Sequence, residues 1–338
     1  MLNTKTARAS AAAFCAAAIA VVLPLARPAV AQTFTEFRVP TAKSTPGYIT
    51  PGPDGALWFT EVSGNKIGRI TTAGQISEFP IPTPNSQPYS IAAGPDGNLW
   101  FAEYAGNKIG RITPSGAITE FEIPTADSQP VAITAGPDNA MWFAELQTGK
   151  IARITLTGTI TEFPAMAPAS VRSPRGLTLG PDGNLWSTVE ARLAPNAVNM
   201  IARIAPDGSS TEFPVPTLNC SLASGILAGP DGALWFAEEV GNKIGRITTS
   251  GEITEFPLPA LNSLPRHFTA GADGALWFTQ RADRIGRITM SGAITEFTVP
   301  TANGSPYGIA TAADGTIWFT EQAANKIGRL TPPPAARD

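Results

Sequence analysis

The chain has 338 residues, a hydrophobic fraction of 43%, a charged fraction of 15% and a formal net charge of −3 at pH 7. Because it is mildly acidic and has no basic cluster, it is a poor candidate for binding nucleic acid or an anionic membrane surface. Its two cysteines, Cys15 and Cys220, lie on opposite sides of a predicted cleavage site, which excludes a disulfide within the mature chain and a Cys/His metal site.

The first predicted element is a secretory signal peptide over residues 1–31. Two basic residues precede an apolar run over residues 9–25, and Ala29-Val30-Ala31 forms a cleavage motif before Gln32. The run is too short and too rich in alanine to span a membrane. Cleavage removes three basic residues and no acidic one, so the net charge changes from −3 to −6. We expect a secreted or periplasmic, monomeric protein without membrane attachment.

The next feature is a repeat built around tryptophan. Each tryptophan falls near the end of a phrase related to Gly-Pro-Asp-Gly-x-Leu-Trp-Phe, and the phrases recur every 41 to 49 residues. The seven positions are Trp58, Trp100, Trp142, Trp186, Trp235, Trp277 and Trp318. A repeat of this length made of short strands and turns is typical of propeller blades. We therefore predict an all-β, seven-bladed β-propeller over residues 32–331, followed by a tail over residues 332–338.

Each repeat predicts four strands. In the second repeat these strands cover residues 88–93, 99–101, 108–112 and 117–121, with a tight turn at residues 94–97. The second strand has consecutive rather than alternating apolar residues, which indicates a strand covered on both faces, as stacked blades require.

The charged residues that recur in every blade are predicted to have a structural role. Every blade has a third-strand arginine and a fourth-strand glutamate, such as Arg69 and Glu78. If Ala73-Gly74 forms a two-residue hairpin loop, these two side chains face each other as a cross-strand ion pair. The turn aspartates, such as Asp54, are also structural, because no calcium-loop spacing surrounds them.

The chain ends predict how the ring closes. Thr35-Glu36-Phe37 matches a fourth strand but has no blade before it, whereas the repeat of Trp318 ends after its third strand. We therefore predict that the N-terminal strand completes the last blade, which removes a free sheet edge.

The irregular residues point to one mouth of the central channel. In a four-stranded blade, the loop between strands two and three and the connection to the next blade lie on the same face, opposite the uniform turns. The residue after the first-strand proline, or its equivalent, varies around the ring: Gly47, Tyr89, Val131, Arg175, Ser224, Arg266 and Tyr307. This variation predicts substrate-binding residues at Tyr89, Arg175, Arg266 and Tyr307. Drift of an unused rim is the alternative.

Further irregularities belong to the same loops. Blade four has a longer loop over residues 189–199, which includes Glu190 and Arg192. Blade six has Gln280 and Arg281 in its shortened loop, and the chain's single histidine, His267, follows Arg266.

Five blades have a glutamate three residues after the tryptophan: Glu61, Glu103, Glu145, Glu238 and Glu321. A ring of carboxylates around a channel could bind a cation. The simpler interpretation is a repeated hydrogen-bonding residue at a strand end.

The repeats resemble those of the virginiamycin B lyase (streptogramin lyase) family over nearly all of the mature chain. The resemblance is specific in Leu234-Trp235-Phe236-Ala237-Glu238, in Gly241-Asn242-Lys243-Ile244-Gly245-Arg246-Ile247 and in Ile253-Thr254-Glu255-Phe256-Pro257. It implies a seven-bladed propeller. It also implies an enzyme that linearises a cyclic depsipeptide by elimination, with magnesium polarising the ester region and a histidine removing the α proton.

The residues that the resemblance assigns to catalysis differ here. The family's two histidines follow the first-strand proline in the last two blades, where this chain has Arg266 and Tyr307. His267 comes one residue later, an offset that predicts a side chain turned to the other face of the strand. One metal-ligand carboxylate position matches Ser305, and Glu321 lies near the other.

These observations favour a lyase-like propeller that binds a small molecule, glycan or peptide at the channel mouth without lyase chemistry. The enzyme alternative is a magnesium-dependent C–O lyase acting on streptogramin B-type depsipeptides, with His267 as the catalytic base and Glu321 as a metal ligand. In that case magnesium is the cofactor; otherwise the cofactor is unknown. Two further alternatives are a lactonase-type propeller and a protein-interaction scaffold.

Overall fold

The computed structural model describes residues 32–164, 172–191 and 198–332. The predicted signal peptide, the tail after Pro332 and Arg192 of the blade-four loop lie outside the described residues. For Ser224, only the backbone is described.

The described residues form seven four-stranded antiparallel sheets and contain no helix. The first, innermost strands are β2 (Pro46–Pro51), β6 (Pro88–Ala93), β10 (Pro130–Ala135), β14 (Arg172–Leu179), β18 (Leu222–Ala228), β22 (Pro265–Ala270) and β26 (Pro306–Thr311). The second strands are β3 (Leu57–Glu61), β7 (Leu99–Glu103), β11 (Met141–Glu145), β15 (Leu185–Ala191), β19 (Leu234–Glu238), β23 (Leu276–Gln280) and β27 (Ile317–Glu321).

The third strands are β4 (Lys66–Ile70), β8 (Lys108–Ile112), β12 (Lys150–Ile154), β16 (Met200–Ile204), β20 (Lys243–Ile247), β24 (Arg284–Ile288) and β28 (Lys326–Thr331). The fourth strands are β5 (Ile76–Pro80), β9 (Ile118–Glu122), β13 (Ile160–Glu162), β17 (Ser210–Pro214), β21 (Ile253–Pro257), β25 (Ile294–Thr298) and β1 (Thr33–Arg38).

The first strands form a closed ring. Each one contacts the first strand of the next blade, from β2 through β26 and back to β2. This arrangement is a seven-bladed propeller, as predicted, with the first strands around the central channel. Nowhere in the described stretches is there a helix with the length and apolarity that crossing a bilayer requires.

The N-terminal strand completes the last blade, as predicted. Strand β1 pairs antiparallel with β28 from Thr33↔Thr331 to Arg38↔Lys326. The blade therefore joins the two ends of the described chain, and its sheet has no missing outer strand.

The second strands form the centre of each blade. In six of the seven blades every residue of this strand is buried, and all seven tryptophans are fully buried. Each tryptophan stacks on a phenylalanine that lies in the fourth strand of its own blade or, in blade three, directly after it, with ring centres 5.0 to 5.7 Å apart. The burial of both faces confirms the prediction from consecutive apolar residues.

The predicted pairing of Arg69 with Glu78 is wrong. Strands β4 and β5 are joined through a three-residue loop with Gly74 at φ 89°, rather than a two-residue loop, so the register moves by one residue. Arg69 consequently lies opposite Ser77 and donates to Asp54 at 2.6 Å, and Asp54 also accepts the indole N–H of Trp58 at 3.0 Å. The structural role predicted for the turn aspartates is confirmed.

Candidate functional site

Two sets of loops form one mouth of the channel. The loop between strands two and three donates backbone hydrogen bonds to the connection that enters the same blade, for example from Val62 to Thr45 and from Tyr104 to Gln87, each at 3.2 Å. The tight turns lie at the other ends of the strands. The predicted division between an irregular mouth and a uniform turn face is therefore present.

Each first strand has a bulge at the mouth. In blade six, Arg266 and His267 together lie opposite the single residue Thr279. In a regular strand, successive side chains point to opposite faces, and a bulge changes the direction of the side chains next to it. The Arg266 guanidinium lies 5.0 Å from the centre of the Tyr307 ring, and the His267 ring lies 4.7 Å from the same ring. The prediction that the one-residue offset turns His267 to the other face of the strand assumed a regular strand, whereas the bulged strand brings both side chains to the Tyr307 ring.

All four tyrosines of the chain and its single histidine form one group, here called the aromatic cluster: Tyr48, Tyr89, Tyr104, His267 and Tyr307. The Tyr48 ring lies 4.4 Å from His267 and 5.8 Å from Tyr307. The Tyr307 hydroxyl donates to the Tyr89 hydroxyl at 2.8 Å. Tyr89 and Tyr104 are half-buried, with their ring centres 6.1 Å apart.

A charged group adjoins the aromatic cluster. Arg266 donates through Nη2 to Glu239 Oε1 at 2.7 Å, and Arg281 Nη1 lies 3.7 Å from the same oxygen. Burial disfavours the Arg266 charge, but Glu239, together with Tyr307 and Tyr89, more than offsets this, so the pKa of Arg266 is raised above its usual value. Arg266 therefore remains protonated and serves as a cation rather than a base.

The ionisation of His267 and Tyr307 is governed by burial. Burial, with a further contribution from the Arg266 charge, lowers the pKa of His267 to about 3. Burial also raises the pKa of Tyr307 well above its usual value, and the neighbouring Tyr89 and Tyr48 hydroxyls add to the rise. At neutral pH the site thus contains a neutral imidazole and a neutral phenol beside a guanidinium cation.

Threonines hold the backbone of the aromatic cluster in place. Thr60 Oγ1 accepts from the Tyr48 backbone N–H at 3.1 Å and donates to the Tyr89 carbonyl of the next blade at 2.9 Å. Thr279 accepts from His267 N–H at 3.2 Å and donates to the Tyr307 carbonyl at 2.6 Å. The equivalent residues in blades two, three and five are Ala102, Ala144 and Ala237. The threonines thus anchor the backbone under this arc of the mouth.

The predicted site residues are only partly brought together. Tyr89, Arg266, His267 and Tyr307 form one connected group, whereas Arg175 pairs with Glu190 on blade four. Ser221 Oγ donates to the same glutamate at 2.9 Å. Arg175 therefore forms a second polar group on the rim rather than part of the aromatic cluster.

Glu321 lies inside blade seven rather than at the mouth. Its side chain is fully buried, and a Cβ added at Gly304 would lie 2.5 Å from its Oε2 atom. Burial, together with the nearby charge of Glu36, raises the pKa of Glu321 to about 7. Its four equivalents are also fully buried. The structure thus places these carboxyls within the blades, which matches the strand-end interpretation better than a ring around the channel.

The donors at the mouth do not fit magnesium. Ser305 has no carboxylate, Glu321 is buried and readily protonated, and Glu239 and Glu190 are both engaged by arginines. Across the described stretches, no group of three or more Asp, Glu, His or Cys side chains is arranged to hold a metal ion. The residues present at this mouth therefore do not fit a magnesium ion.

The buried glutamates predict a loss of stability as pH rises from about 4.5 to about 8. Burial, together with neighbouring outer glutamates, raises the pKa of Glu61 and Glu103 to about 8 and that of Glu238 to about 7. These carboxyls stay protonated in the folded chain at pH values where the unfolded chain has lost the proton. The stability they contribute is complete below the unfolded value near 4.5 and is lost as pH rises through 7 to 8.

We expect the free energy of unfolding to fall by up to about 1.4 kcal/mol per pH unit for each such carboxyl. Calorimetry between about pH 5 and 9 measures this, and a Glu61→Gln/Glu103→Gln variant should flatten the decline below about pH 8. Blade six already has the neutral equivalent, since Gln280 donates to Glu296 at 2.9 Å. Glu252→Gln is the control, because this carboxyl is exposed on the turn face, away from the buried glutamates. An unchanged slope in the double variant contradicts the explanation.

Two cavities in the described part of the chain differ in position. One, of about 140 Å³, lies in the channel and is lined by Tyr48, His267 and Phe268 among others. The other, of about 280 Å³, lies at the turns of blades six and seven beside Asp314 and Thr316. We favour the smaller one, because it adjoins the aromatic cluster and contains residues that differ between blades.

Sequence reasoning missed three residues of the site. Tyr48 was overlooked because regular alternation placed only the residue after the proline at the mouth, and Tyr104 and Glu239 because they lie in loops of ordinary length. One signal was available, since every tyrosine in the chain occupies a first strand or a second-to-third-strand loop.

The comparisons with known proteins agree with this architecture. The model of the Virginiamycin B lyase family matches residues 22–193 and 187–336. A streptogramin B lyase structure is 40% identical, with a TM-score of 0.82, covering 89% of this chain and 97% of that one. Virginiamycin B lyase from Staphylococcus aureus is 41% identical, with a TM-score of 0.81, covering 89% of this chain and 100% of that one.

A third structure is a catalytically inactive histidine-to-alanine variant of the Staphylococcus aureus enzyme with quinupristin. It is 40% identical, with a TM-score of 0.81, and covers 89% of this chain and all of that one. Since the family model spans both halves of the propeller and the structural matches extend over the same ring, this chain belongs to the virginiamycin B lyase family.

Proposed function

We propose that this protein is an exported, lyase-like propeller that binds a small molecule, glycan or peptide at the channel mouth without the family's lyase chemistry. The observation behind this proposal is the aromatic cluster with its adjoining Arg266–Glu239 pair. Aromatic faces, hydroxyl groups and one charged group converging on a cavity are typical of a ligand site.

The same residues argue against elimination. The two positions that the family resemblance assigns to histidines are a permanently charged guanidinium and a buried phenol whose pKa is raised. A general base must accept a proton near the working pH, and neither group does. Binding requires no such group, so the geometry supports a binding role better than a catalytic one.

The single histidine provides the test. In tag-free protein, His267 is the only source of imidazole NMR signals. Because burial and the Arg266 charge hold the pKa of His267 near 3, we expect these signals to stay constant between about pH 5 and 8. They therefore report ligand binding without interference from titration.

A library of phenols, oligosaccharides and short peptides should contain compounds that shift the His267 signals, and Tyr89→Ala should weaken their binding at least about tenfold. Asp314→Asn, at the cavity on the turn face, is the matched control and should leave binding unchanged. If compounds bind only at the turn face and the chemical shifts of His267 do not change, the proposal is wrong.

One observation favours the lyase alternative. His267 Nε2 is buried and has no hydrogen-bond partner among the described residues, and the residue lines the channel cavity. A neutral imidazole in that position could take a proton from a bound substrate, although its low pKa makes it a weak base. Activity that depends on His267 separates this alternative from the binding proposal.

A further inference from the structure

Two arginines and one glutamate form a charged trio beside the aromatic cluster. Glu239 is the common partner of two guanidinium groups, at 2.7 Å from Arg266 and 3.7 Å from Arg281. This trio has a net charge of +1, in a chain whose formal net charge is −3. A local cation on an acidic protein favours an anionic ligand at that point over other parts of the surface.

Arg266 also has an unused hydrogen-bond donor. Its Nε–H is buried and has no acceptor among the described residues, whereas its Nη2 is held by Glu239. A buried donor on a charged group is costly to leave unpaired. A planar guanidinium fits a carboxylate, which accepts charge-assisted hydrogen bonds from it.

Contacts of both its side chain and its backbone hold Arg266 in place. The guanidinium lies 5.0 Å from the centre of the Tyr307 ring, a cation–π arrangement that restrains its plane. The Arg266 backbone packs against Gly225, where an added Cβ would come within 1.7 Å of the Arg266 carbonyl oxygen. Arg266 is therefore presented in a defined position before any ligand arrives.

We infer that the ligand of this mouth is a monocarboxylate with an adjacent ring, whose carboxylate binds Arg266 Nε–H and whose ring packs on Tyr89 and Tyr104. This inference rests on the proposed binding function of the mouth. A net charge of +1 matches a singly charged carboxylate better than a doubly charged phosphate. The half-buried Tyr89 and Tyr104 rings, 6.1 Å apart, supply the apolar surface for the ring.

The test compares two probes that differ only in charge, N-acetylphenylalanine and its amide. Binding is followed by the His267 imidazole signals and by calorimetry. We expect the carboxylate to bind at least about tenfold more tightly than the amide, and this preference to weaken as salt is raised. Phenyl phosphate is the third probe and should bind more weakly than the carboxylate.

Two substitutions at Arg266 test whether this residue causes the preference for the carboxylate. Arg266→Gln should abolish the preference for the carboxylate, and Arg266→Lys, which retains the charge without the Nε–H fork, should retain only part of it. Arg69→Gln removes the same charge on the turn face and should leave the preference intact. The unfolding midpoint of each variant is measured to confirm that it is folded.

The outcomes separate this inference from the proposed function. Equal binding of acid and amide, both shifting His267, overturns the carboxylate assignment and leaves the binding role standing. A preference that persists in Arg266→Gln, tighter binding of phenyl phosphate, or no shift from either phenylalanine probe also overturns the assignment. The binding role is decided separately by the compound library and Tyr89→Ala.

Discussion

Deletion of residues 32–40 is expected to remove most of the stability of the propeller. This segment contains β1, which pairs with β28 along six residues. Phe37 stacks on Trp318 with ring centres 5.5 Å apart, and Phe34 packs edge-on against Phe319 at 6.2 Å. Both rings are half-buried, so each contributes less than the about 3 to 5 kcal/mol of a fully buried phenylalanine. The deletion also removes the fully buried Val39 and the whole strand pairing, so the combined loss is a large fraction of the stability of a typical domain.

The deletion also exposes the edge of β28, which is a template for aggregation. We therefore expect either no cooperative unfolding transition or a midpoint lowered by more than about 10 °C, measured by calorimetry and circular dichroism. A synthetic peptide covering residues 32–40, added in trans, should partly restore the transition. Deletion of residues 333–338, which follow β28, is the control. A deletion variant that unfolds at the normal midpoint would show that closure by β1 contributes little.

The second large effect concerns catalysis: the purified protein should show little or no linearisation of streptogramin B, with or without magnesium. Elimination requires a base near the α proton and a metal or hydrogen-bond donor on the ester, both correctly placed. Arg266 is protonated at all working pH values, and burial raises the pKa of Tyr307 well above its usual value. Loss of a positioned general base reduces the rate by about a hundred- to ten-thousand-fold.

The assay compares this protein with an active family member under the same conditions, with and without magnesium, by separating cyclic and linear depsipeptide. Robust magnesium-dependent turnover that disappears in His267→Ala would overturn the binding proposal and identify His267 as the base. Turnover that survives His267→Ala would place the active site elsewhere in the molecule. Inactivity of both the wild type and this variant is the expected result.

Some residues of the aromatic cluster could be predicted from the sequence and others could not. Tyr89, Arg266 and Tyr307 were accessible, because one position varied among otherwise regular repeats. Tyr48 was missed and the surroundings of His267 were not predicted, because the bulge opposite Thr60 and Thr279 cannot be derived from alternation along a regular strand. The Arg69–Glu78 error had a similar cause, since one extra loop residue shifted the register of the hairpin.

The sequence by itself determined the number of blades, the burial of their second strands, and closure by the N-terminal strand. The blade number and the buried second strands follow from a local pattern that recurs seven times, and the closure follows from the one strand that the last repeat lacks. Only the tertiary structure decided which side chains meet at the mouth. Tyr89 and Tyr307 are 218 residues apart, and their hydrogen bond exists because the closed ring and the bulges bring the first strands of distant blades together around one channel.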